Sequence, residues 1–229
     1  TGVGNNSDSL TSKSTYSQMN SVGRVNRVEG FATVVADGVS GTDFAYLYDS
    51  SGDDTYTSGQ SDPATPSYAV MSRPDSTIYA NRFRAVYAYS TGGGDDVADV
   101  YGSSFSDRLT VSGSSVLLEN RTISSTFFSS YAVLFEQTYV YGGLSSDSAT
   151  LTGSTGSDTL TADTAPLSFT FSRSGYGNVT AESFAYVTAT GNDGTDTAVL
   201  TGSIGNDAFT ASPASAVLSA TGRSVTANS

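Results

Sequence analysis

Residues 201–212 read TGSIGNDAFTAS, a Gly-x-x-Gly-x-Asp corner that runs into an alternating strand. Related stretches stand at 152–163 (TGSTGSDTLTAD), 101–112 (YGSSFSDRLTVS) and 48–59 (YDSSGDDTYTSG). Outward from these corners, four longer segments align, led by Phe31, Phe83, Phe135 and Phe184 at spacings of 52, 52 and 49 residues. One aspartate column holds Asp43, Asp96, Asp147 and Asp196; a second, eleven residues on, holds Asp54, Asp107, Asp158 and Asp207. Two apolar columns lie between them: Ala45, Ala98, Ala149 and Ala198, then Leu47, Val100, Leu151 and Leu200. Five positions kept in register four times define a tandem repeat. The chain divides into a partial repeat at 1–30 and repeats at 31–82, 83–134, 135–183 and 184–229, the last incomplete. Both ends fall mid-repeat, with Asp8 matching Asp207, which sets the expectation of a piece of, or a product cut from, a longer repetitive protein.

Within a unit the hydrophobic period is two. AYVTAT, TAVLTG, DAFTAS and SAVLSAT alternate apolar residues with Thr, Ser or Tyr, and Gly, Ser and Asp interrupt every window long enough for a helix. Short strands, recurrent corners and small apolar side chains predict an all-β chain stacked as a β-solenoid, a parallel β-helix. A β-propeller with one blade per unit, or a β-sandwich, is the alternative. Each unit also contains two similar halves, AVLTGS at 198–203 and AVLSAT at 216–221 among them. That likeness predicts two coils per unit, about nine coils in all, and a rod on the order of 40 Å long at ~4.8 Å per coil.

Composition excludes several functions. The 229 residues include no His, Cys or Trp, and 10 Lys plus Arg stand against 22 Asp plus Glu, a formal charge of −12. Nothing so acidic neutralises phosphates, so no nucleic-acid partner is expected. Triads and metal sites built on His or Cys are ruled out. No apolar run is long enough for a helical membrane span, and the first residues do not read as a signal peptide. The acidic, Lys-poor composition fits the outside of a cell.

Carboxylates are the remaining chemistry. Adjacent residues on a strand point to opposite faces, so Asp53/Asp54 and Asp95/Asp96 are poorly placed to flank one glycosidic bond. The ten basic residues look scattered, which removes the Asp–Lys/Arg cluster a lyase would need, and no enzyme is predicted. Ice binding is set aside because the Thr152 and Thr201 column reads Tyr48 and Tyr101 in the other units. Calcium is the candidate ion, since it takes carboxylate and carbonyl oxygens from Gly-rich turns. Asp49, Asp53 and Asp54, then Asp95 and Asp96, then Asn192, Asp193 and Asp196 are the candidate ligands. The competing reading is that such an Asp caps its own turn. The 14 tyrosines read as structural ladders, or as a face open to a surface glycan.

The segments FRAVYAYSTGGGDD and FAYLYDSSGDDTYT carry a further likeness. They resemble the long tandem repeats of very large secreted planctomycete surface proteins, over nearly the whole chain and most loosely in the last two units. The resemblance implies an extracellular, β-rich, structural role without catalytic residues. GSIGND and GNDGTD are more weakly similar to haemolysin-type calcium repeats, whose nine-residue period this chain lacks. The expected function is a non-enzymatic structural protein of a surface fibre, filament, sheath or adhesin. The expected partner is itself, head to tail or within a longer chain. A calcium-dependent carbohydrate- or protein-binding module is the alternative, with the bulky stretch ENRTISSTFFSSYAVLFEQTYVYGG (119–143) as its candidate pocket.

Overall fold

The computed structural model describes residues 7–39, 41–121, 126–143, 146–165 and 167–229. The alternating segments are strands: the described residues hold 23 of them and no helix. The chain opens on an antiparallel meander, β1 (Ser9–Ser12), β2 (Ser17–Ser21) and β3 (Arg24–Val28). Every later unit adds a lead strand, a second strand and a further three-stranded meander. The first runs β4 (Thr33–Asp37), β5 (Phe44–Tyr48), then β6 (Thr55–Gly59), β7 (Tyr68–Arg73) and β8 (Ser76–Asn81). The next runs β9 (Ala85–Tyr89), β10 (Val97–Tyr101), then β11 (Arg108–Ser112), β12 (Ser115–Arg121) and β13 (Thr126–Val133). The third runs β14 (Gln137–Tyr141), β15 (Asp147–Thr152), then β16 (Thr159–Thr164), β17 (Leu167–Ser172) and β18 (Asn178–Glu182). The fourth runs β19 (Phe184–Thr190), β20 (Thr197–Thr201), then β21 (Ala208–Ser212), β22 (Ser215–Ala220) and β23 (Arg223–Asn228).

These strands form a two-sheet β-solenoid. One sheet has 13 strands in the order β21-β22-β23-β19-β15-β11-β12-β13-β9-β5-β1-β2-β3, the other ten in the order β20-β16-β17-β18-β14-β10-β6-β7-β8-β4. Between units all pairing is parallel and obeys one rule. Each second strand lies beside the first meander strand of the unit before, as in β6–β10 and β11–β15. Each lead strand after β4 lies between the preceding second strand and the third meander strand of its own unit, as β9 lies between β5 and β13. The chain changes sheet three times per unit, so successive units place their meanders in opposite sheets.

The inward positions are the predicted apolar columns. Ala45, Leu47, Ala98, Val100, Ala149 and Leu151 are buried, as are Phe83, Phe135 and Phe184. The residue before each leading Phe turns the corner with positive φ: Gly30 (71°), Arg82 (61°), Leu134 (68°) and Ser183 (69°). That left-handed step swings the chain out of one sheet and drops Phe83, Phe135 and Phe184 into the core, while Phe31 stays exposed. Inside, Tyr56 Oη and Ser58 Oγ meet Ser130 Oγ of the facing sheet at 2.9 and 2.6 Å. Burial pushes the Tyr56 phenol up to about 12.

The second half of each unit differs from the coil that its sequence suggested. AVLTGS at 198–203 is a second strand with its corner, whereas AVLSAT at 216–221 is the middle of a meander in the other sheet. Alternation alone does not distinguish them, because a hairpin strand and a coil strand bury the same face. Short turns such as Pro74–Asp75, Gly113–Ser114 and Thr221–Gly222 are the hairpin signals. With the added strands the longer sheet extends roughly 58 Å at ~4.8 Å per strand, beyond the 40 Å expected.

Candidate functional site

The two aspartate columns meet at the corners, where they clasp one unit to the next. Asp43 Oδ1 accepts the Asp8 N–H at 2.7 Å, Asp96 Oδ1 the Asp54 N–H at 2.7 Å, and Asp147 Oδ1 the Asp107 N–H at 2.8 Å. Asp196 Oδ1 accepts the Asp158 N–H at 2.9 Å. A backbone bond answers each: the N–H groups of Phe44, Val97, Ser148 and Thr197 donate to the carbonyls of Asp8, Asp54, Asp107 and Asp158. Side chains of the second column close their own corners. Asp158 accepts the Ser154 N–H at 2.6 Å and the Ser154 hydroxyl at 2.7 Å, and Asp54 and Asp107 do the same with Ser50 and Ser103. Each such Ser oxygen accepts a further N–H two residues on, as from Gly156 at 3.0 Å and Gly205 at 3.0 Å. The glycine five residues before the Asp is needed for contact: at Gly38, Gly102, Gly142 and Gly202 a Cβ would fall 2.5–2.7 Å from the carboxylate.

Desolvation dominates the electrostatics of three of these acids. Burial raises Asp43, Asp96 and Asp107 above the ordinary carboxylate value, against the downward pull of the N–H and hydroxyl donors named above. Asp43 is raised further by Asp8, and Asp96 by Asp54 and Asp49.

One corner departs from the pattern. Where the others have glycine, Asp49 precedes Asp54, and the next unit's corner carries an extra residue in STGGGDD. Asp49 accepts the N–H groups of Thr91 and Gly92, filling the space that residue opens. The outcome is a buried trio, Asp49, Asp54 and Asp96, whose oxygens lie within 4.8 Å of one another. Among the described residues this is the one such grouping, and it unites three of the eight calcium candidates. Asp53 and Asp95 sit outside it on the surface, where Asp53 Oδ1 accepts the Asp95 N–H at 3.0 Å. Asn192, Asp193 and Asp196 do not converge: Asn192 donates to the Gly153 carbonyl at 2.8 Å, Asp193 is exposed, and Asp196 holds its clasp. Asp54, Asp107 and Asp158 thus cap their own turns, whereas Asp43, Asp96, Asp147 and Asp196, and Asp49 in the trio, accept N–H groups from a neighbouring unit.

Five of the ten basic residues are ordered rather than scattered. Arg24, Arg73, Arg121, Arg173 and Arg223 stand one per unit at the turn between the second and third meander strands. Three of them reach back to the first meander turn of the preceding unit. Arg73 donates to the Ser12 carbonyl at 3.1 Å, Arg173 to that of Gly113, and Arg223 to that of Thr164. Burial lowers Arg73 and Arg173, offset by Asp54 and Asp49 beside the first and by Asp158 beside the second. The signal was present in sequence as one Arg 14 to 19 residues after each second-column Asp.

Tyrosines form ladders across parallel strands. Tyr46, Tyr87 and Tyr131 stack at 5.2 and 4.3 Å between centroids, Tyr48 on Tyr89 at 4.9 Å, and Tyr101 on Tyr141 at 4.8 Å. Ring faces packed on one another present edges and hydroxyls outward, which leaves few free faces for a sugar ring. In the stretch at 119–143, residues 122–125 lie outside the described residues; the rest holds the end of β12 and β13, paired with a register shift at Asn120/Arg121, and then β14 in the other sheet. Asn120 is buried there and donates to the Gln60 carbonyl at 2.8 Å. Comparison with protein-family models, curated proteins and solved structures returns no match to this chain.

Proposed function

We propose that this protein is a non-enzymatic structural rod on the outside of a cell, a part of a fibre, filament, sheath or adhesin. The observation that carries the reading is the clasp. The side chains with chemical potential, the Asp columns and the Arg column, are engaged in holding each unit to the one before. The acidic, Cys-free composition and the resemblance to secreted planctomycete surface repeats support the location. Electron microscopy of the purified chain and antibody labelling of intact producing cells test it. Rods in the first and label on the surface are expected; label confined to the cell interior refutes the proposal.

Calcium at one corner is a second reading, favoured by the meeting of Asp49, Asp54 and Asp96. The ion takes about six to eight oxygens and would compete with the N–H donors already on these carboxylates and with the nearby Arg73. Its test is a melting curve in chelator and in millimolar calcium. A rise of several degrees in calcium, lost in Asp49→Gly, supports it; superimposable curves refute it. Selective binding on a glycan array, dependent on calcium, would extend this reading to a carbohydrate-binding module.

A further inference from the structure

The tyrosine ladders bring together phenols that lie far apart in sequence. Tyr46 and Tyr48 of β5 are the register partners of Tyr87 and Tyr89 of β9. Tyr87 is also the partner of Tyr131 of β13, and Tyr101 of β10 is the partner of Tyr141 of β14. In-register partners on parallel strands point the same way, so the rings overlap face to face. Their planes differ by 12–16° and their centroids lie 4.3–5.2 Å apart. Hydroxyls meet as well: Tyr87 and Tyr131 share a hydrogen bond, and burial together with the Tyr131 phenol holds Tyr87 above its usual range. Three of the four pairs cross a unit junction, Tyr46–Tyr87 and Tyr48–Tyr89 between the first and second units, Tyr101–Tyr141 between the second and third. All five strands lie inside their sheets, with neighbours on both sides.

The rest of the chain offers an oxidant little else. It has no Cys, Trp or His, and its two methionines, Met19 and Met71, are buried. Tyr46, Tyr48, Tyr87, Tyr89, Tyr131 and Tyr141 are half-buried and Tyr101 is exposed, so each is open to solvent while a partner covers a ring face. Tyr56 is the contrast, fully buried with its hydroxyl on Ser130.

We infer that the ladders are oxidative cross-linking sites, where a haem peroxidase with hydrogen peroxide joins Tyr87 to Tyr46 or Tyr131, Tyr89 to Tyr48 and Tyr141 to Tyr101 as dityrosine. Each phenol gives one electron to the oxidant and its O–H proton to water. The two phenoxyl radicals couple through a carbon–carbon bond between positions ortho to the hydroxyls. Each ring then recovers its aromaticity by releasing the ortho hydrogen as a proton while its oxygen takes one up. Peroxide accepts the two electrons and two protons and leaves as two waters. Stacking selects the partner, because a radical on one ring has the ortho carbons of the next ring beside it. A tilt of two solvent-facing rings brings those carbons edge to edge, a side-chain motion that leaves the strands in place. The bond would join one unit to the next in a chain that has no cysteine for a disulfide. The inference goes beyond the rod reading and does not depend on it.

The test treats the full chain, dilute, with a haem peroxidase and hydrogen peroxide, followed by proteolysis and mass mapping. Monomers with dityrosine fluorescence are expected. Linked peptides, lighter by two hydrogens, should join the stretch holding Tyr46 and Tyr48 to that holding Tyr87 and Tyr89, and that of Tyr101 to that of Tyr141. The melting temperature should rise by roughly 5–15 °C, because each link closes a long loop in the unfolded chain. Tyr87→Phe/Tyr89→Phe/Tyr141→Phe removes one phenol from every pair and keeps the rings. This variant should melt within a few degrees of wild type before oxidation and yield at least tenfold less dityrosine. Tyr101→Phe alone should lose the link to Tyr141 and keep the others. Tyr79, Tyr139, Tyr176 and Tyr186, exposed and outside the four pairs, report random coupling. Equal dityrosine in the triple variant and wild type overturns the inference, as do links mainly on those exposed tyrosines or only between chains. So does the absence of dityrosine under conditions that couple free tyrosine.

Discussion

Replacing Asp158 by Ala tests the corner where it is most fully engaged. The carboxylate is 2% exposed and accepts three donors: the Ser154 N–H at 2.6 Å, the Ser154 hydroxyl at 2.7 Å and the Ser174 N–H at 2.9 Å. Alanine keeps the Asp158 N–H that feeds Asp196 and deletes all three bonds. Ser174 is exposed, so water replaces its partner at little cost. Ser154 is buried, and its orphaned N–H costs about 1–3 kcal/mol, with about 1 kcal/mol more for the hydroxyl. Arg173, buried nearby, loses its closest favourable charge. Recovered desolvation of the carboxylate opposes these terms. The net expectation is about 3 kcal/mol, a fall of roughly 6–12 °C in melting temperature for a chain of this size. Asp158→Asn keeps one acceptor and turns an amide toward the Ser154 N–H, so it should fall between Ala and wild type. The exposed Asp193→Ala is the control, expected within about 0.5 kcal/mol of wild type. Urea denaturation of the four proteins decides the matter: if Asp158→Ala is no less stable than Asp193→Ala, the corner carboxylates do not hold the stack.

Three further outcomes follow from the same geometry. Because burial raises Asp43, Asp96 and Asp107, the folded chain binds protons more tightly than the unfolded one in the window from 3.8 up to their raised values. Their contribution is complete below 3.8 and lost as pH climbs through those values. Melting temperature should therefore fall as pH climbs from 3.8 through those raised values, repulsion among 22 acids acting in the same direction, and a rise over that window contradicts it. Gly143→Ala sets a Cβ onto the Ser103 carbonyl and should cost more than about 2 kcal/mol; an unchanged urea midpoint would show that the two corners are not in contact. Leu134, at φ 68° and half-exposed, gains from Gly: relief of about 1–2 kcal/mol of left-handed strain outweighs about 0.5–1 kcal/mol of added chain entropy, and a lower midpoint speaks against this.

The fold was legible where columns recur. Phe83, Phe135 and Phe184, the Ala/Leu columns and both Asp columns recur because each unit docks on the one before by the same pairings, second strand on first meander strand and first-column Asp on second-column Asp, and that spacing is written in the chain. The meanders were not legible, because β12 or β22 alternates as a coil strand would and only two-residue turns betray the reversal. At the corners, sequence offered both turn capping and calcium for the same residues. Neither reading contained the clasp, whose donor N–H lies some 40 residues away, as in the pairs Asp54/Asp96 and Asp107/Asp147. The Arg column escaped notice because meander length varies, so Arg73, Arg121, Arg173 and Arg223 drift by a few residues against the Asp they follow.

Three sheet crossings per unit carry a consequence for function. An odd number turns each unit by half a revolution, so a given column reaches the same face only in alternate units. The tyrosine ladders obey this: Tyr46, Tyr87 and Tyr131 come from a second strand, a lead strand and a third meander strand, not from one column repeated. Five strands per unit shared between two sheets advance the rod about 12 Å, and the surface pattern therefore repeats at about 24 Å. A flat ligand lattice matched to a single unit would find its partners on every other unit only. The inner corners have no such restriction, since every clasp joins a unit to its immediate neighbour whatever face it lies on. Regularity is thus kept where units meet and broken where they face outward. The half-turn makes the two broad faces equivalent in strand pattern, one displaced by a unit from the other.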